Sequence, residues 1–105
     1  MEGKVVIITG GSSGIGKALA YNFGSRGSKV VITGRNQEAL DNAIAELEGS
    51  NISCLAIQAD ASNREDNQRM VEETIREFGK LDILIANAGI SMRALIQDVD
   101  IDDAQ

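Results

Sequence analysis

Four short apolar runs, Val5 to Ile8, Val30 to Ile32, Cys54 to Ala59 and Leu81 to Ala86, are rich in Val and Ile, bounded by polar residues, and separated by segments of helical spacing. Consecutive apolar positions bury both faces of a strand, the pattern of a parallel sheet rather than of one with a wet face. Each intervening segment carries a single apolar stripe at i, i+3, i+4, i+7 spacing. The stripes are Ile15, Ala18, Leu19, Asn22 and Phe23, then Leu40, Ala43, Ile44 and Leu47, then Met70, Val71, Thr74, Ile75 and Phe78. Strands alternating with helices through right-handed crossovers give an α/β fold, a parallel sheet with helices on both faces. Local punctuation agrees. Ser62-Asn63-Arg64-Glu65 reads as a capping box opening the third helix, Gly49 and Gly79 fall where the second and third helices stop, and Gly27 follows the first.

The stretch Thr9-Gly10-Gly11-Ser12-Ser13-Gly14-Ile15-Gly16 joins the first apolar run to the first helical stripe. Gly10, Gly14 and Gly16 let the backbone bend and approach a ligand closely, while the free N–H groups of a helix N-terminus point at an anion. The spacing is G-x-x-x-G-x-G and departs from the ordinary dinucleotide fingerprint. The resulting architecture is three-layered and of Rossmann type: the first half of a doubly wound parallel sheet, strand order 3-2-1-4, with its crevice between strands one and four. Gly10 to Gly16 and Asn87 to Gly89 both fall at carboxyl ends of those strands, so a nucleotide would lie across that edge.

Net charge of −6 opposes nonspecific attraction to nucleic acid or anionic lipid, so neither nucleic acid nor membrane is an expected partner. No run approaches the ~18 apolar residues that cross a membrane. The chain has no histidine, which removes His bases and the commonest zinc ligand, and no metal is expected. Asp98, Asp100 and Asp102 alternate as in a calcium loop, but Asp103 stands where such a loop needs glycine. The single cysteine, Cys54, reads as a strand thiol. With strand pattern beginning almost at Met1, a cytoplasmic location is expected.

The glycine pattern after Thr9, together with Ala86-Asn87-Ala88-Gly89 at the end of the fourth run, resembles the short-chain dehydrogenase/reductase family in its NAD(P)-dependent branch. The resemblance implies that residues 1–105 form a dinucleotide-binding domain in which Gly10, Ser12, Ser13, Gly14, Ile15 and Gly16 surround the cofactor's phosphates. It also implies that Asp60, followed by Ala61, accepts from the adenine amino group, and that Asn87, Ala88 and Gly89 brace the loop and let the cofactor ribose pass. Ala86 replaces the family's more common first asparagine. An NAD site usually has an acid at the end of the second strand. Here that end reads Thr33-Gly34-Arg35-Asn36, with no acid before Glu38, and Arg35 offers a bidentate contact to a 2′-phosphate, so NADP(H) is favoured over NAD(H). Many NADP-dependent relatives carry a basic residue where this chain has Ser13, which softens the preference. Ile90-Ser91-Met92-Arg93 resembles branches acting on steroid-like, lipid or acyl substrates.

The family moves a hydride between nicotinamide and a carbonyl or hydroxyl carbon, with a tyrosine, a lysine four residues on, and a serine. The lone Tyr21 is followed four residues later by Ser25, so no catalytic residue is expected within these 105 positions. The expectation is the cofactor-binding part of an oxidoreductase on a small carbonyl or alcohol, inactive alone and homo-oligomeric when whole. The alternatives are a noncatalytic dinucleotide-binding module or a sheet half completed by another chain.

Overall fold

A computed structural model describes residues 2–12 and 14–87. Its elements run β1 (Val5–Thr9), α1 (Gly14–Gly24), β2 (Lys29–Gly34), α2 (Gln37–Gly49), β3 (Cys54–Gln58), α3 (Arg64–Phe78) and β4 (Ile83–Ala86). The strands form one parallel sheet in the order β3-β2-β1-β4. This is the α/β, Rossmann-type arrangement expected from the alternating runs.

Side-chain alternation along each strand divides the core between the two faces. Val6, Ile8, Val30 and Ile32 meet Ala20 of α1 and Leu40, Ala43 and Leu47 of α2. Ile7, Val31 and Ile57 meet Met70 of α3 on the other face. β1 is buried at all five positions because it carries a strand on each side and helices on both faces. Each fully buried Ile or Leu side chain contributes about 1.5–3 kcal/mol, which makes the central strand pair the anchor of the fold. β4 is half-buried at every position. Asp82 locks its start to β1, accepting from the Val5 N–H at 2.8 Å and returning its own N–H to the Val5 carbonyl at 2.9 Å.

Two of three boundaries differ from the expectation. α3 is capped by Asn63, whose side chain accepts from the Asp66 N–H at 2.9 Å. Ser62 is used instead by Asp60, to whose Oδ1 it donates its N–H (3.0 Å) and hydroxyl (2.7 Å), so the helix starts one residue later. α2 continues through Gly49, and the left-handed turn after it falls on Asn51, φ 63°. Gly79 does end α3, at φ 84°, giving its N–H to the Ile75 carbonyl at 2.7 Å.

Candidate functional site

The parallel register aligns the strand ends at one edge: Thr9 pairs with Thr33 on one side and Ala86 on the other, and Gly34 with Gln58. After Thr9 the chain turns at Gly10, φ 70°, a left-handed conformation that suits glycine. The N–H groups of Gly10 and Gly11 both donate to the Thr33 carbonyl, at 2.8 and 3.2 Å, and fold the loop over the end of β2. α1 then begins at Gly14, and the first N–H groups of a helix have no acceptor within it.

The glycines of this loop have different grounds. A Cβ on Gly16 would overlap the Gly10 carbonyl and lie 2.8 Å from Asn87 Nδ2, so packing alone demands glycine there. A Cβ on Gly14 would meet nothing within 4 Å among the described residues. Beside it Ile15 is 70% exposed, an apolar side chain standing at the mouth of the loop. Open space in front of Gly14 and a bare Ile15 are features that a ligand against the helix N-terminus would use and that the described protein does not.

A groove of about 430 Å³ runs from this loop along the ends of β2 and β3, lined among others by Gly10, Ser12, Thr33, Arg35, Asp60 and Ala61. The structure thus gathers five of the expected residues, Gly10, Ser12, Arg35, Asp60 and Ala61, around one cavity, with Gly14, Ile15 and Gly16 on the adjoining helix start. Asn87 does not line the groove and sits against Gly16 instead. Ser13, Ala88 and Gly89 lie outside the described residues, as do Ile90 to Arg93 and Asp98, Asp100, Asp102 and Asp103.

Electrostatics at the groove come from opposite charges on two strand ends. The Ser62 hydroxyl, then its N–H, hold the Asp60 carboxyl below its ordinary value, and the Arg35 guanidinium adds a smaller pull. Asp60 is therefore an ionised, acceptor-only group. Among the described residues both bonds it accepts fall on Oδ1. Its backbone N–H donates to Asp66 Oδ2 at 2.8 Å, which fixes the turn to α3. Arg35 is exposed. Asn36 follows it as the α2 cap, accepting from the Ala39 N–H at 3.0 Å, so the first acid past β2 is Glu38 inside the helix.

Several contacts had no sequence signal of their own. Thr9, wholly buried, accepts the Asn87 N–H at 2.8 Å and donates to the Ile85 carbonyl at 3.4 Å. Gln58 donates from Nε2 to the Arg35 carbonyl at 3.0 Å. Thr33 Oγ1 is buried beside the groove and has no hydrogen-bond partner among the described residues. Only the parallel register reveals these neighbours. Tyr21 stands away from the edge, donating its hydroxyl to the Glu46 carbonyl at 3.2 Å and tying α1 to α2. Among the described residues no group of three His, Cys, Asp or Glu side chains is placed to hold a metal ion, and no helix is long and apolar enough to cross a membrane.

The family model described as short chain dehydrogenase matches residues 4–105. The chain is 38% identical over 99 residues to a peroxisomal 2,4-dienoyl-CoA reductase of Arabidopsis thaliana, covering 94% of this chain and 33% of the relative. It therefore spans about a third of the length of that curated relative. A short chain dehydrogenase from Bacillus anthracis superposes with a TM-score of 0.78 at 49% identity, covering 83% of this chain and 35% of that one. A xylitol dehydrogenase solved with NAD+ bound superposes with a TM-score of 0.80 at 31% identity, covering 85% of this chain and 34% of that one.

Proposed function

The chain belongs to the short chain dehydrogenase family, an oxidoreductase family that binds NAD(P), and on that premise we propose that its groove holds the adenosine half of NADP(H) in preference to NAD(H). The whole protein would then be an NADP(H)-dependent oxidoreductase acting on a small carbonyl or alcohol. The observation that carries this reading is the pair Arg35 and Asp60 lining one groove at the carboxyl edge of the sheet, with no acid at the end of β2.

The residues fit such a ligand in three places. The turn after Gly10 and the start of α1 at Gly14 offer backbone N–H groups to a pyrophosphate, with Ser12, Ser13, Ile15 and Gly16 assigned to the same phosphates on the family pattern. Arg35 offers its guanidinium to the 2′-phosphate, where a charged hydrogen bond of about 1.5–3 kcal/mol corresponds to roughly ten- to a hundredfold preference. Asp60, ionised and followed by Ala61, accepts from the adenine amino group. Asn87 lies against Gly16 and braces the loop, and on the family pattern Ala88 and Gly89 would let the cofactor ribose pass. When bound, the dinucleotide supplies or accepts the hydride; this chain's own groups bind and orient it. The xylitol dehydrogenase was solved with NAD+, so the preference rests on Arg35 and not on relatives.

Titration with NADPH and NADH tests the reading: tighter NADPH binding is expected, and Arg35→Glu reverses the order. An unchanged order in that variant removes Arg35 from the site. Oxidation of NADPH with a panel of carbonyls distinguishes an oxidoreductase from a noncatalytic binding module. The half-buried β4 favours a sheet completed by further strands, from this protein or from a second chain. A cytoplasmic homo-oligomer completes the proposal, which cell fractionation and solution mass measurement decide.

A further inference from the structure

We infer that Gln58 is a positioning residue that sets the preference for a 2′-phosphorylated dinucleotide by holding Arg35, an inference that rests on the function proposed above. Gln58 closes β3 opposite Gly34, the last residue of β2. Its exposed side chain reaches one residue further and donates from Nε2 to the Arg35 carbonyl at 3.0 Å. The amide of an exposed glutamine contributes nothing to the core; what it does is fix the peptide that launches the Arg35 side chain. Gln58 is itself held from the other side, because Arg69 Nη2 donates to its carbonyl at 2.7 Å. Arg69 in turn is paired with Glu73 at 3.1 Å and with Asp66 at 3.6 Å along α3. The first turns of α3 therefore control both groove charges: Asp66 holds the Asp60 N–H at 2.8 Å, and Arg69 acts through Gln58 on Arg35. A planar guanidinium makes paired bonds to phosphate only when its fork is correctly aimed. NAD(H) presents no 2′-phosphate, so loss of that aim falls on one cofactor alone.

The test is a cycle in the whole protein with Gln58→Met, which keeps the length of the side chain and removes its donor, and Arg35→Ala, titrated with NADPH and NADH. In Gln58→Met the NADPH over NADH affinity ratio is expected to fall roughly three- to tenfold, the range of one net hydrogen bond, with NADH binding unchanged. On the Arg35→Ala background the same substitution leaves the ratio where it is, since the group through which Gln58 acts is gone. Equal weakening of both cofactors, an unaltered ratio, or the same loss without Arg35 overturns the inference while the NADP(H) reading stands. A wild-type protein without NADPH preference overturns that reading and the inference with it.

Discussion

The hydroxyl of Thr9, at the end of β1, accepts the backbone N–H of Asn87 at 2.8 Å and so ties the central strand to the segment leaving β4. Thr9 is wholly buried, and among the described residues its hydroxyl also donates to the Ile85 carbonyl of β4. Thr9→Val keeps the shape and leaves the part-buried N–H of Asn87 without that acceptor. The expected cost is about 1–3 kcal/mol of folding stability, read as a lowered urea midpoint. Both dinucleotides should weaken together in this variant, because neither 2′ discrimination nor charge is touched. An unchanged midpoint would mean that water replaces the hydroxyl at Asn87.

Gly14 and Gly16 should separate folding from binding. Gly16→Ala drives a methyl into the Gly10 carbonyl, so it is expected to lower the thermal midpoint and dinucleotide affinity together. Gly14→Ala meets no atom of the described residues within 4 Å, and replacing a helical glycine stabilises by up to about 1 kcal/mol. Its midpoint should hold or rise while NADPH affinity falls at least about tenfold, the loss of roughly 1.4 kcal/mol of close backbone contact. Undiminished affinity in Gly14→Ala would place the phosphates elsewhere.

Acid sensitivity should arise at the base of the sheet. The Val5 N–H, more than the nearby Lys80, holds the Asp82 carboxyl below its ordinary value. A depressed folded-state value means that the carboxylate's contribution is complete above the unfolded value and is lost as pH falls through the folded one. Unfolding midpoints measured from neutral pH downward should therefore drop below pH ~4, and Asp82→Asn should flatten part of that drop. Asp60, lowered chiefly by Ser62, acts in the same direction at the groove, so NADPH binding should weaken over the same acid range.

Much of the architecture was legible because burial on both faces writes itself as consecutive apolar residues. Val5 to Ile8 and Val30 to Ile32 sit in the two central strands, and the crossover rule orders their neighbours. Arg35 and Asp60 were legible as neighbours at one edge for a related reason: each stands just past the end of a strand, and strand ends share an edge in a parallel sheet. Gln58 was not legible as a neighbour of the site, and Thr9 and Thr33 were legible only as strand ends beside it. Their bonds, or lack of them, depend on which residues stand side by side in the sheet, and nothing local to Gln58 points to Arg35 twenty-three residues away. The start of α3 was misread by one residue because Ser62 and Asn63 both cap well, and the choice between them is made by Asp60, which takes Ser62 for its own turn.

Thr33 carries the last test. Its hydroxyl is 1% exposed at the residue level, beside the groove, and has no bonding partner among the described residues. A buried hydroxyl left without a partner costs about 1–3 kcal/mol, and valine has nearly the same shape with a higher preference for strands. Thr33→Val is accordingly expected to raise the unfolding free energy of the ligand-free protein by about 1 kcal/mol, measured by urea denaturation at neutral pH. A fall of similar size would reveal that an ordered water bonds the hydroxyl in the free protein, since removing a satisfied group is what destabilises. In that case the water sits at the wall of the groove, and the variant should weaken NADPH and NADH alike, because Thr33 lines the groove without offering a charge to a 2′-phosphate.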